Sequence, residues 1–171
     1  MLVIVFVLLM IAVVLFADFS RRDDNERMMD EARALATQMA AYHTAAKRYC
    51  GAGSCAAGVL PAPTAYLPGA IANGAAYGTV RFRTYSDGAQ IVTTYVAPGD
   101  GAFRLWGPIS ANLGEITSNS LTSGRYDRAT NRVISMAGIN QTLATPKYVT
   151  VTPGIGGADL QTGMPVMVSK L

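Results

Sequence analysis

The chain has 171 residues, 50% of them hydrophobic and only 15% charged, with a formal net charge of +3. Its 14 basic and 11 acidic residues are scattered, no basic run exceeds two, and aromatics do not alternate with basic residues. That pattern excludes a nucleic-acid-binding chain, while 17 glycines and 8 prolines favour a β-rich, turn-rich domain over a helical bundle.

Leu2 to Ala17 (LVIVFVLLMIAVVLFA) carries no charged or polar side chain. As a helix this run is about 24 Å long, close to the lower bound of about 17 residues for a spanning segment. Met1 and Phe19 extend it. No Lys or Arg precedes it, and Leu15 is too large for the minus-three position of a cleavage site at Ala17. The reading is therefore a retained transmembrane anchor over residues 1–19. Arg21 and Arg22 directly after it argue for a cytoplasmic flank. Cys50 and Cys55, in CGAGSC, argue the other way. Four small residues separate them, so the chain closes easily into a disulfide in an oxidising compartment; two free thiols in the cytosol are the alternative. The disulfide is preferred, which makes the protein a single-pass bacterial inner-membrane protein with a periplasmic C-terminal domain.

Residues 20–50 form an amphipathic helix. Met28, Ala32, Leu35, Met39, Tyr42, Ala46 and Tyr49 recur at alternating spacings of four and three. Lys47 and Arg48 suit the last turn, and Gly51 and Gly53 end it. Joined to the anchor, it makes one helix of about 70 Å. The stripe has two readings. One is packing against the chain's own domain. The other is an assembly seam of Met28, Ala32, Leu35, Met39 and Tyr42 for another helix, including that of a second copy in a homo-oligomer. His43, the only histidine, lies on the less apolar side and is expected at the surface.

Residues 51–171 read as a small α+β domain. Pro61, Pro63, Pro68 and several glycines make residues 56–78 an irregular connection. Thr79–Tyr85 and Ala89–Ala97 form a hairpin about Ser86-Asp87-Gly88. A helix is expected over Pro108–Leu121, with Ile109, Leu113, Ile116 and Leu121 on one side. A second hairpin follows about Ala129-Thr130-Asn131, then short strands at Lys147–Thr152 and Pro165–Ser169. The fold class is thus a long N-terminal helix, transmembrane then amphipathic, followed by a small antiparallel-sheet domain with one further helix.

No catalytic constellation emerges. One histidine inside a helix supplies neither a Ser-His-Asp nor a Cys-His arrangement. Asp87 and Asp100 sit in turn signals. Gly154-Ile155-Gly156-Gly157 lacks the rest of a phosphate-binding motif. Trp106 reads as a core or domain-edge residue. The expectation is a non-enzymatic protein with no catalytic residue, no metal and no cofactor.

Four stretches together resemble a known family: the apolar segment from Met1, ATQMAAYHTAAKRY (Ala36–Tyr49), SGRYDRATNRVIS (Ser123–Ser135) and LQTGMPVMVSKL (Leu160–Leu171). The chain resembles the small PilM family of conjugative-plasmid type IVb (thin) pilus operons, which differs from the actin-like cytoplasmic protein of the same name. The resemblance implies an inner-membrane protein with a periplasmic domain that serves pilus biogenesis. Its partners would be other pilus assembly proteins or pilins, together with the lipid bilayer. It implies no catalytic residue. Minor pilins and pseudopilins share the layout of a long helix and a small β-rich domain. They carry a basic leader and then a Glu about five residues into the apolar segment, where Val5 stands here. The alternatives are therefore a pilus-incorporated subunit or, further off, a periplasmic enzyme or cell-wall binding domain.

Overall fold

The computed structural model describes residues 2–67, 82–96, 102–117, 122–135 and 148–171, the side chains of residues 2–5, 7, 8 and 54 excepted. Residues 68–78 of the expected connection, the strand positions Thr79 to Arg81, Ala97 and Lys147, and Leu121 of the expected helix lie outside these residues. The chain divides into two compact units, Met1–Glu31 and Ala32–Leu171.

Helix α1 runs from Leu2 to Tyr49 without a break, as the joined anchor and amphipathic segments predict. In the first unit it is a bare helix. Leu9, Met10, Val13, Val14, Leu15, Phe16 and Phe19 are all exposed, Phe16 at 79%. Polar residues follow directly, with Asp18 and Arg22 forming an i, i+4 ion pair at 3.6 Å. Among the described residues no helix is long and apolar enough to cross a membrane, so the expected transmembrane helix is not supported. The physical reason is length. Sixteen uncharged residues rise about 24 Å, against a hydrocarbon core of about 30 Å, and Asp18 closes the run.

The second unit is built on one antiparallel seven-stranded sheet in the order β1-β2-β3-β7-β4-β5-β6. Its strands are β1 (Gly58–Val59), β2 (Phe82–Ser86), β3 (Gln90–Tyr95), β4 (Ser123–Asp127), β5 (Arg132–Ser135), β6 (Tyr148–Thr150) and β7 (Pro165–Lys170). Both expected hairpins form. β2 pairs with β3 across Asp87, whose carboxylate accepts the N–H groups of Ala89 (2.8 Å) and Gln90 (2.6 Å). β4 pairs with β5 across a turn in which Asp127 accepts from Ala129 and Thr130, and Asn131 takes a left-handed φ of 50°. The C-terminal strand β7 enters the middle of the sheet, between β3 and β4.

Helix α2 spans Ala102–Ile116 and contains Pro108. It begins six residues before the expected start. Pro108 therefore does not open the helix, although proline favours a first-turn position. Beginning at Ala102 brings Trp106 onto the same buried face as Ile109 and Leu113, which outweighs the one backbone bond lost at proline.

The two faces of the sheet are covered differently. Residues of α1 and α2 (Leu35, Met39, Tyr42, Trp106, Ile109, Leu113) pack with Phe82, Tyr95 and Met167 on one face. On the other, the segment before β7 folds back and buries Val151, Ile155 and Leu160 against Tyr85, Val92, Tyr126, Val133, Val166 and Val168. Gly124 is required by the close pairing of β4 with β5: a Cβ there would collide with the Ile134 carbonyl of β5.

Gln90 shows that the sheet curls. Its Nε2 donates to the Thr150 carbonyl (3.1 Å), and its Oε1 accepts the Thr152 N–H (2.9 Å). Four inter-strand steps separate β3 from β6, about 19 Å if the sheet were flat, far beyond the reach of a glutamine. The side-chain amide pairs with i and i+2 backbone groups as a neighbouring strand would, and so satisfies the outer edge of the chain at β6.

Candidate functional site

Two clusters join α1 to the sheet, and both centre on residues that carry chemistry. The first is His43, which is 4% exposed. The expectation of a surface histidine is therefore overturned. Ala32, Ala36, Met39, His43, Ala46 and, just past the end of α1, Cys50 form a buried line, again at spacings of four and three. It shares Ala32, Met39 and Ala46 with the expected stripe and takes Ala36, His43 and Cys50 in place of Leu35, Tyr42 and Tyr49. His43 falls in the middle of that line.

Its ring is held on both nitrogens. Nδ1 lies 2.8 Å from Thr93 Oγ1, and Nε2 lies 2.8 Å from Ser169 Oγ. Thr93 Oγ1 is also 2.7 Å from Thr84 Oγ1. A neutral imidazole has one donor and one acceptor, so the chain of hydroxyls is satisfied in either direction. Burial lowers the His43 pKa to about 4, with the nearby Lys47 charge adding to the effect. Ser169 beside Nε2 resembles a nucleophile–base pair. The position where a triad places a carboxylate holds the neutral Thr93 hydroxyl, so nothing there stabilises an imidazolium. A base of such low pKa is also weak at neutral pH. What the arrangement does is tie α1 to β2, β3 and β7 by hydrogen bonds.

The second cluster is the disulfide. Cys50 and Cys55 are bonded, with Cα atoms 4.4 Å apart, as their spacing predicts. The chain passes between them through a π-turn, Cys50–Ser54, in which Gly53 takes a φ of 88° that other residues resist. The Ser86 hydroxyl lies 3.1 Å from Cys55 Sγ and accepts the Gly88 N–H at 3.0 Å. Cys50 packs with Ala46, Leu60 and Ile91. The bond therefore fixes the end of α1 to the β1–β2 edge, and its chain-entropy contribution is about 2 kcal/mol for so small a loop.

Of the five seam residues, Ala32, Leu35, Met39 and Tyr42 are buried in the core of their own unit, and Met28 is half-buried. Four of the five thus serve the fold itself. Trp106 is a core residue, with the Phe103 ring tilted against it at 4.5 Å between ring centroids.

Other polar groups are engaged locally. Asp159 accepts from Arg83 (2.9 Å) and from the Tyr85 hydroxyl (3.0 Å). Burial, helped by that carboxylate, pushes the Tyr85 pKa up to about 12. The Thr152 hydroxyl and then the backbone N–H groups of its turn hold the Asp87 carboxyl below its usual range. An open cleft of about 480 Å³ lies between the end of α1 and the turn Thr64–Tyr66, floored by Ala41, Ala45 and Ala65. Its one threonine, Thr44, gives its hydroxyl to the Ala40 carbonyl. Among the described residues no group of three or more His, Cys, Asp or Glu side chains is placed to hold a metal ion.

Fold and clusters together define a small disulfide-clasped α+β unit carried on a long N-terminal helix. The family model PilM matches residues 6–168, nearly the whole chain, and the chain belongs to the PilM family. It is accordingly a pilus-related protein. No curated protein and no solved structure matches it.

Proposed function

We propose that the chain is a non-enzymatic assembly component of a type IV pilus machine of the conjugative thin-pilus kind. In this reading its apolar N-terminal helix associates with the bacterial inner membrane, and its folded unit works in the periplasm among other pilus assembly proteins or pilins. The observation that carries the reading is the reach of the family match, which begins inside the apolar segment and continues into β7.

Three features support the finer points. The disulfide suits an oxidising compartment. An exposed all-apolar helix surface costs free energy in water and is relieved by lipid. The one histidine and the carboxylates of Asp87, Asp127 and Asp159 are already engaged within the fold.

Deletion of the gene tests the reading, together with fractionation of the complemented strain. The expected result is loss of pili, with the full-length protein confined to inner-membrane fractions. Recovery of the protein in sheared pili would instead make it a minor pilin or pseudopilin, the second reading that the helix-plus-sheet layout favours.

A further inference from the structure

On the helix-covered face of the sheet, cover by the described residues ends before the sheet does. Helix α2 packs on β4 and β7, and the β5–β6 end carries a row of exposed side chains. Arg125 on β4 stands opposite Ile134 on β5, which stands opposite Tyr148 on β6. Arg132, two residues from Ile134, shares the face. Ile134 is 37% exposed and Tyr148 is 48% exposed. The Arg132 guanidinium lies 4.0 Å above the Tyr148 ring. Arg125 lies over α2 at Gly107, where an added Cβ would stand 2.9 Å from its Nη2. Neither arginine forms an ion pair among the described residues. The surface is thus an apolar pair flanked by two arginines; Asp127, opposite Arg132 on the same face, has its carboxylate turned to Ala129 and Thr130 in its own turn. Two strands are about 10 Å wide, the diameter of one helix.

The matching chemistry lies on the chain itself. Between Asp23 and Asp30, α1 carries four carboxylates against one arginine, all exposed. Asp23, Glu26, Met29 and Asp30 fall on one side of the helix, at i, i+3, i+6 and i+7, and Met29 is 49% exposed. An apolar side chain among carboxylates complements an apolar pair among arginines, and arginine pairs well with carboxylates at an interface.

We propose that the β5–β6 face receives the Asp23–Asp30 segment of a second copy of this chain, as a third helix beside α2. Met29 lies on Ile134 and Tyr148, and Asp23, Glu26 and Asp30 meet Arg125 and Arg132. The two surfaces differ, so the contact is head-to-tail and leaves one of each free at the ends of an assembly. It holds whether or not the chain serves a pilus.

The test places a photo-crosslinking phenylalanine analogue at position 148 of the full-length chain in its membrane fraction. A crosslink to a second copy, mapped within residues 23–30, is the expected result. The double variant Arg125→Glu/Arg132→Glu should lower its yield at least tenfold. Adding Asp23→Arg and Asp30→Arg should restore it, which a folding defect would not allow. Crosslinks to another protein, to a different part of the second copy, or to nothing would overturn the proposal, as would failure of the charge swap to restore the yield.

Discussion

The units Met1–Glu31 and Ala32–Leu171 share one helix but use its apolar residues in opposite ways. In the first, Leu9 to Phe16 are apolar around the whole circumference and remain exposed. In the second, half the circumference is charged or polar and the rest is buried, much of it as alanine. Hydrophobicity alone therefore does not show where a helix is packed. Periodicity does: a one-sided stripe finds a core of its own, and an all-round surface needs another medium or another molecule.

The largest expected effect breaks the packed region. Leu35 is buried among Met39, Trp106 and Leu113, so Leu35→Lys should cost about 4 kcal/mol, the scale of a buried unpaired charge. Denaturant unfolding measures this. A loss below about 0.5 kcal/mol, as at a solvated face, would show that this stripe is not core.

A smaller effect sharpens the picture of how the helix is tied to the sheet. The folded pKa of His43, about 4, lies below the ordinary value of 6.5. The unfolded chain therefore takes up a proton that the folded chain refuses. The stability this contributes is complete above pH 6.5 and is lost as pH falls from 6.5 towards 4, by at most about 3 kcal/mol. Carboxylates add their own pH dependence at the acid end, so the comparison is with His43→Gln, which keeps a donor and an acceptor. Its stability should fall less steeply across this window. Parallel curves would mean that the ring is not held neutral.

Local chemistry made much of the fold legible in advance. The Ser86-Asp87-Gly88 turn, the Ala129–Asn131 turn, the Gly51 and Gly53 stop and the Cys50–Cys55 spacing each act over a few residues, and each appears where its residues indicate. Long-range pairings were not legible. Nothing in PVMVSK announces that β7 lies between β3 and β4, because its neighbours are distant in sequence. Gln90 looks like an ordinary strand residue until its amide is found on Thr150 and Thr152. The burial of His43 is hidden for a related reason. The apolar stripe runs through Leu35, Met39 and Tyr42, but the buried arc of the helix is wider and also takes in Ala36 and the polar His43. Proline's preference for a first turn points to Pro108 as the start of α2, whereas the helix begins at Ala102 and carries Pro108 inside it.

The contrast between the two regions is tested most directly by one variant of the first. Phe16→Lys, combined with Val13→Lys, places two charges on the bare apolar helix. Thermal unfolding and alkaline extraction of membranes are then compared with the parent chain. The account predicts an unfolding midpoint unchanged within the range of a surface substitution and loss of the protein from the extracted membrane pellet. A lowered midpoint would contradict it by making the apolar run part of the folded core, and so would retention in the pellet.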